Sequence, residues 1–277
     1  MEKSGSEKIF ISIITITKND PGGMLRTFSS LSSQNLAFVN RSSVEWVIVN
    51  GGVPEDLPDI PENPMFCSKI TINSSSDRGI FDAMNKGLRF AKGEHVLFLN
   101  SGDVLYSSIT LSILLEWARI YSDRIIAGNV EIRWKGIAYI CDLSPWVCHQ
   151  ATLTPRYLLE DYKFDITKRF YGDLHLWMRL KRDYLFRLER VNHVVCIFEL
   201  GGIGNKPEYL LERFLERLEL TREFGNKFFP VIQCFRMSAA WIIWRVFGRN
   251  AYYRVDFISL RLGAFLRRYR RLNADSR

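Results

Sequence analysis

Residues Gly79 to Asp103 read GIFDAMNKGLRFAKGEHVLFLNSGD, and this stretch decides the fold. Its first part, Gly79 to Lys92, carries helical spacing, with Ile80, Met84, Leu88 and Ala91 on one face. His95 to Leu99 (HVLFL) is then an apolar run of strand length that stops at Asn100-Ser101-Gly102-Asp103. Working upstream, Lys69 to Ile72 is a short strand closed by the polar turn Asn73 to Ser76. Val44 to Val49 (VEWVIV) is a buried strand ending in Asn50-Gly51-Gly52. Phe10 to Thr17 (FISIITIT) is a third apolar strand. It runs into the turn cluster Lys18 to Gly23, and a helical pattern follows over Met24 to Gln34 at Leu25, Phe28 and Leu31.

Strands alternating with helices imply right-handed crossovers and a parallel sheet covered on both faces. In such sheets the ligand sits beyond the carboxyl ends of the strands. Three polar clusters fall at those ends: Thr17-Lys18-Asn19, Asn50-Gly51-Gly52 and Asn100-Ser101-Gly102-Asp103. Downstream, the pattern predicts a helix over Ser108 to Tyr121, extended chain over Ile125 to Ile132, and an aromatic-rich loop to Cys148. Phe164 to Arg182 turns and enters a helix whose first turn holds Gly172 and Asp173. A last strand, Val194 to Leu200, closes at Gly201-Gly202, and Pro207 to Phe224 is a charged helix.

At 277 residues, 47% hydrophobic and 25% charged, the chain has material for a substantial core. Its five cysteines are odd in number and form no CxxC pair, which argues against a zinc site or disulfide framework and for a reducing compartment. The first eight residues are polar and no run of about 18 apolar residues occurs, so the expectation is a cytoplasmic protein without a spanning segment. From Arg236 to Arg277 there are ten arginines, no lysine and two aspartates, so this tail alone accounts for the whole chain's net charge of +8. A basic tail on a near-neutral body points to an anionic surface, phospholipid or nucleic acid; the body carries no general nucleic-acid footprint, so the expectation is an anionic membrane surface and no nucleic acid.

Asp103, right after a buried strand, is placed to grip a divalent cation bridging two phosphates, although Asn-Ser-Gly-Asp is equally good turn chemistry. Asp77 suits a cap for the helix beginning near Gly79, and Asp82 with Lys86 forms an i,i+4 pair. Neither reading explains Asn85, a poor helix former in mid-helix.

The string from Gly79 to Asp103 resembles the signature of family 2 glycosyltransferases of the kind that build colanic acid and related bacterial exopolysaccharides. FISIITITKND resembles that family's first strand and nucleotide-contacting loop, and VEWVIVNGG its second strand. His149-Gln150-Ala151-Thr152, Phe164-Asp165, Gly172 to Leu176 and Phe198 to Ile203 follow in the family's order, so the likeness spans roughly residues 9 to 205. The resemblance implies an α/β, GT-A (Rossmann-like) fold: a mostly parallel central sheet with flanking helices, plus a basic C-terminal helical extension. The expected catalytic domain is 1–205, with a nucleotide-binding half at about 9–105 and an acceptor half at about 106–205; the extension is 206–277.

By the same resemblance, Thr15, Thr17, Asn19, Asn50, Gly51, Asp77, Arg78, Asn85, Ser101 and Gly102 would surround a nucleotide-sugar donor, a UDP-sugar by default. Asp103 would hold Mg²⁺ or Mn²⁺ against the diphosphate, and Asp173 would be the base of a single inverting displacement. For Asp173 the alternative is a helix N-terminal carboxylate stabilised by the dipole. His149 and Gln150 would belong to the donor or acceptor site, or be structural. The family often has aspartate at Asn50 and at Gly102, so these departures bear on nucleobase and ribose recognition.

The expected acceptor is a saccharide or polyprenyl-diphosphate-linked molecule at the inner face of the membrane, with oligomeric state left open. In the tail, Met237 to Phe247 and Phe257 to Arg271 mix aromatic and apolar residues with arginine, which suits interfacial helices; packing on protein is the alternative. Two competing functions are a sugar-phosphate nucleotidyltransferase and a non-catalytic membrane-docked scaffold. The first would want a glycine-rich basic loop after the first strand, which Lys18 to Gly23 matches thinly. The second would tolerate loss of Asp103 or Asp173, and both are present.

Overall fold

The computed structural model describes residues 8–35, 41–54, 57–61, 64–141, 147–200, 202–225 and 229–274, with backbone alone for 203, 229–236 and 260–274. In chain order the elements are β1 (Ile11–Thr17), α1 (Pro21–Ser32), β2 (Val44–Asn50), β3 (Lys69–Ser74), α2 (Ile80–Leu88), β4 (His95–Phe98), β5 (Val104–Leu105) and α3 (Thr110–Ile120). There follow β6 (Ile125–Trp134), β7 (Ile137–Cys141), β8 (Thr152–Pro155), α4 (Arg156–Tyr162), α5 (Gly172–Arg182), β9 (Leu188–Glu199), α6 (Leu210–Phe224) and α7 (Phe229–Ala274).

The strands form one sheet ordered β3-β2-β1-β4-β8-β6-β9-β5, with β7 paired to β6. β3, β2, β1 and β4 run parallel, β8 enters antiparallel to β4, and β6 and β9 are again parallel to each other. Every residue of β1 is buried, because successive side chains of a strand point to opposite faces and both faces are covered. Ile11 and Ile13 join Met24, Leu31, Trp46 and Leu114 in one core layer. Ile14 and Ile16 join Phe81, Met84, Leu176 and Trp177 in the other. Trp46 is fully buried, stacked on Phe28 at 5.8 Å and edge-on to Phe66 at 5.4 Å.

Helix α1 starts as its sequence demands, with Pro in the first turn and Asp20 capping the Gly23 amide at 2.9 Å. Helix α2 is shorter than its apolar spacing predicts. The chain has to dive beside β1, and Gly93 lies so close that a Cβ would stand 2.5 Å from the Ser12 nitrogen. Local spacing missed β5, β7, β8 and α4. The loop expected before Cys148 opens as a hairpin, β6–β7, turning at Lys135 and Gly136 with φ of 47° and 78°, a pair of left-handed residues that suits a two-residue turn. β9 begins at Leu188, six residues earlier than its apolar run suggests.

Helix α6 ends on left-handed Gly225. Helix α7 breaks at Gly248 (φ 80°, ψ 178°) into two arms. The second arm docks on the β6–β7 hairpin, where Phe257 is buried against Tyr139 at 4.9 Å and Trp134 at 6.0 Å. For Phe257, then, packing on protein replaces the interfacial role expected from sequence. The side chains of Leu260 to Arg271 lie outside the described residues. Among the described residues no helix is long and apolar enough to cross a membrane.

Candidate active site

Parallel pairing brings the carboxyl ends of β2, β1 and β4 side by side, with Thr17 opposite Asn50. The turn after β4 is built around Asp103. The Asn100 amide donates to Asp103 Oδ2 at 3.1 Å, and the Asp103 amide donates to the Asn100 carbonyl at 2.9 Å. Gly102 adopts φ +91°, a conformation that favours glycine. From α1, the fully buried Thr27 donates its hydroxyl to the Asp103 carbonyl at 2.8 Å and accepts from the Gly102 amide at 3.0 Å. Ser101 donates to the Asp20 carboxylate at 2.9 Å. That contact passes over Gly23, where a Cβ would collide with both groups.

Strand β8 lies beside β4, so the short turn that precedes it, His149 to Ala151, falls next to Asn100. His149 Nε2 is 3.2 Å from Asn100 Nδ2, and its Nδ1 is 2.9 Å from Asp173 Oδ2. Asp173 is the second residue of α5. It is held there by Gly172, whose missing Cβ leaves room for the Phe81 ring; a Cβ would stand 2.6 Å from it. One imidazole thus links the end of β4 to the start of α5.

Burial alone would depress the His149 pKa, but the Asp173 hydrogen bond and charge, with Asp103 contributing, outweigh it and push it up to about 9. A protonated His149 donates from both nitrogens. Asn100 Oδ1 is buried with no partner. Turning the Asn100 amide over presents that oxygen to the Nε2 proton. Asp103 is pushed up to about 6, chiefly by burial, against the lowering effect of His149, the Asn100 amide and the Gln150 side chain.

Gln150 is itself buried and also accepts from the Cys148 thiol. Among the described residues no cluster of three His, Cys, Asp or Glu side chains gathers as a metal cage. A lone, desolvated carboxylate suits a Mg²⁺-like ion that takes its remaining ligands from phosphate and water.

The other candidates divide. Asp77 reaches Gly51, where a Cβ would stand 1.6 Å from its Oδ2. Its Oδ1 accepts from the Gly79 amide at 2.9 Å and lies 3.7 Å from Lys18 Nζ. Asn19 is exposed at φ +53° beside this group, and Arg78 is exposed and 3.7 Å from Asp82.

Three of the expected donor-site residues also bond to the protein itself. Thr15 is fully buried two residues back from the strand end, with its hydroxyl accepting from the Trp46 indole at 2.9 Å. Asn50 spends its amide on its own turn, Nδ2 to the Val53 carbonyl at 2.8 Å and Oδ1 from the Gly52 amide at 2.9 Å. Asn85 pairs both ends of its amide with the Phe164 backbone, at 2.8 and 3.0 Å. That pairing is why asparagine stands in mid-helix.

Sequence reasoning missed Thr27, Asp20 and Glu216. The Glu216 carboxylate on α6 accepts from the Arg169, Phe170 and Tyr171 amides at 2.9, 3.0 and 2.6 Å, fixing the loop that leads into α5. The only signal for Asp20 was its place before Pro21; Thr27 and Glu216 gave none.

Residues 12–139 match the family described as Glycosyl transferase family 2. A PGL/p-HBAD biosynthesis glycosyltransferase of Mycobacterium tuberculosis is 28% identical over 211 residues, which cover 68% of this chain and 77% of the relative. The chain overlays on Staphylococcus aureus TarS 1–349 with a TM-score of 0.57 at 16% identity, covering 77% of this chain and 66% of that one. It overlays on the mannosyltransferase PcManGT of Pyrobaculum calidifontis, solved with GDP-Man and Mn²⁺, with a TM-score of 0.57 at 15% identity, covering 79% and 64%. The chain thus spans slightly less than two thirds of either solved chain. TarS 1–349 has also been solved with UDP and with UDP-GlcNAc.

Proposed function

We propose that this chain, whose residues 12–139 match Glycosyl transferase family 2 and whose fold is GT-A, catalyses inverting, divalent-metal-dependent transfer from a nucleotide sugar, a UDP-sugar by preference, to a saccharide or lipid-linked acceptor at the cytoplasmic face of a membrane. The observation that carries this reading is the single imidazole of His149, bonded to Asp173 and adjacent to Asn100 of the Asp103 turn. It supports a site in which the donor's diphosphate lies against Asp103 and the acceptor hydroxyl against Asp173. Solved neighbours with UDP, UDP-GlcNAc and GDP-Man support a nucleotide-sugar donor.

In this mechanism the Asp173 carboxylate takes the proton of the acceptor hydroxyl as its oxygen bonds to the anomeric carbon. The bond from that carbon to the diphosphate oxygen breaks on the opposite face, which inverts the configuration. Asp103 would hold Mg²⁺ or Mn²⁺, which when bound supplies positive charge against the departing diphosphate. The His149 ring, 2.9 Å away, fixes the orientation of the Asp173 carboxylate. The backbone turn at Gly51, with Asp77 and Lys18 behind it, and Ser101 with Gly102 frame the donor side.

The deciding experiment is calorimetric titration with UDP, GDP and dTDP, each with Mn²⁺ and with EDTA. Metal-dependent binding of one nucleotide is expected, and Asp103→Ala should abolish it. Asp173→Asn should bind that nucleotide as wild type does but lose transfer by about 10²-fold or more. No nucleotide binding to the folded protein, or wild-type turnover by Asp173→Asn, would overturn the reading.

A further inference from the structure

Helix α6 and the two arms of α7 line a half-open cavity of about 430 Å³. Part of its wall is apolar, made by Phe214, Met237 and Ile243. The charged part is made by Arg213, Arg217 and Asp256, which leaves one net positive charge. Arg213 is only partly satisfied. It donates from Nη1 to the Tyr252 hydroxyl at 3.2 Å and also bonds to the Tyr171 side chain, while its Nε is buried with no partner of its own. A buried guanidinium N–H without an acceptor is costly to leave unmet and is a strong donor to an anion.

The cavity is tied to the catalytic end of the molecule. Tyr171 belongs to its wall, with the Arg217 guanidinium 5.3 Å from the centre of the Tyr171 ring, and Tyr171 stands two residues before Asp173. On its other side the first arm of α7 exposes Trp241, Ile242, Val246 and Phe247, each at least half exposed. Arg245 lies 5.6 Å from the centres of both the Trp241 and Trp244 rings. The helix that walls the cavity thus presents an apolar and cationic outer edge, the composition of an interfacial helix. A free phosphate would leave the apolar wall unused, and an uncharged lipid would leave the net positive charge of Arg213, Arg217 and Asp256 unmatched.

We propose that this cavity binds a lipid phosphate, with an anionic oxygen at the Arg213 guanidinium and the hydrocarbon chain along Phe214, Met237 and Ile243, and that it docks the carrier of the acceptor. This rests on the reading of the chain as a transferase with a lipid-linked acceptor. The test titrates the whole protein with geranyl phosphate below its micellar concentration, with geraniol and with inorganic phosphate, and titrates UDP with Mn²⁺ into the same samples. Geranyl phosphate should bind at least tenfold more tightly than either fragment. Arg213→Gln should weaken it at least tenfold with UDP affinity unchanged, and Ile243→Trp, which fills the cavity from the opposite wall, should do the same.

Geranyl phosphate binding of wild-type strength in both variants would overturn the proposal. So would equally tight binding of geraniol or of phosphate, or no binding by a wild-type sample that binds UDP. A sample that binds geranyl phosphate in this pattern but no nucleotide would instead sink the donor-site reading and leave the cavity's ligand standing. Binding of neither overturns both.

Discussion

At Gly51 the space for a side chain is already taken by the carboxylate of Asp77, which would stand 1.6 Å from an added Cβ. Gly51→Ala therefore has to push that carboxylate off the Gly79 amide and away from Lys18. We expect UDP affinity to fall about tenfold or more, equivalent to 1.4 kcal/mol; unchanged affinity by calorimetry would remove Gly51 and Asp77 from the donor site. His149 has Asp173 as its strongest partner. His149→Ala leaves Asp173 without its 2.9 Å partner, and kcat should fall by about 10-fold to 100-fold while the donor KM stays near its wild-type value. His149→Gln, which retains a donor, should recover part of the loss. Equal kcat for wild type and His149→Ala would show that the base stands without the imidazole.

Helix α2 is held at its start by Asp82, which accepts from the Arg78 amide at 3.0 Å and lies 3.3 Å from Lys86. That backbone hydrogen bond, with the two cations and against some burial, holds the Asp82 carboxyl below the usual carboxylate range. A carboxylate whose folded pKa is depressed contributes stability above its unfolded value near 4, and the contribution is lost as pH falls through the folded value. Asp82→Ala should therefore be about 1–2 kcal/mol less stable at neutral pH, the worth of a charged hydrogen bond. In urea titrations the gap should narrow below about pH 4; a pH-independent gap would assign the loss to packing.

Helix α6 acts on the site from further away. Glu216→Ala leaves three loop amides without their carboxylate, and the loop before Asp173 should loosen. Transfer should drop about tenfold or more with UDP affinity retained, and full activity would show that α5 positions its own carboxylate.

Over the whole molecule the extension does two things at once: its second arm is packed through Tyr252 and Phe257, and its first arm is exposed. Truncation would uncover the hairpin as well as remove arginines, so point changes test the membrane role better. Trp241→Ser with Phe247→Ser should weaken binding to anionic liposomes while changing stability by less than about 0.5 kcal/mol. Salt should weaken the arginine part of the interaction. Equal liposome binding would make that face a protein contact.

The sequence by itself determined the parallel half of the sheet, the three strand ends that meet at the site, and the positions of Asp103 and Asp173. Strand and helix periods are local, and a strand buried on both faces has to be apolar throughout, as Ile11 to Thr17 largely is. Which polar groups remain available for chemistry was decided by the tertiary structure alone. Thr15, Asn50 and Asn85 looked equivalent to Thr17 and Gly51 as text, yet each side chain is bonded to a protein partner that the text does not reveal. Thr27 reaches a carbonyl 76 residues away, and Glu216 binds amides more than 40 residues away. A hydrogen bond is settled by whatever the fold brings within about 3 Å, and no local pattern in the chain encodes that proximity.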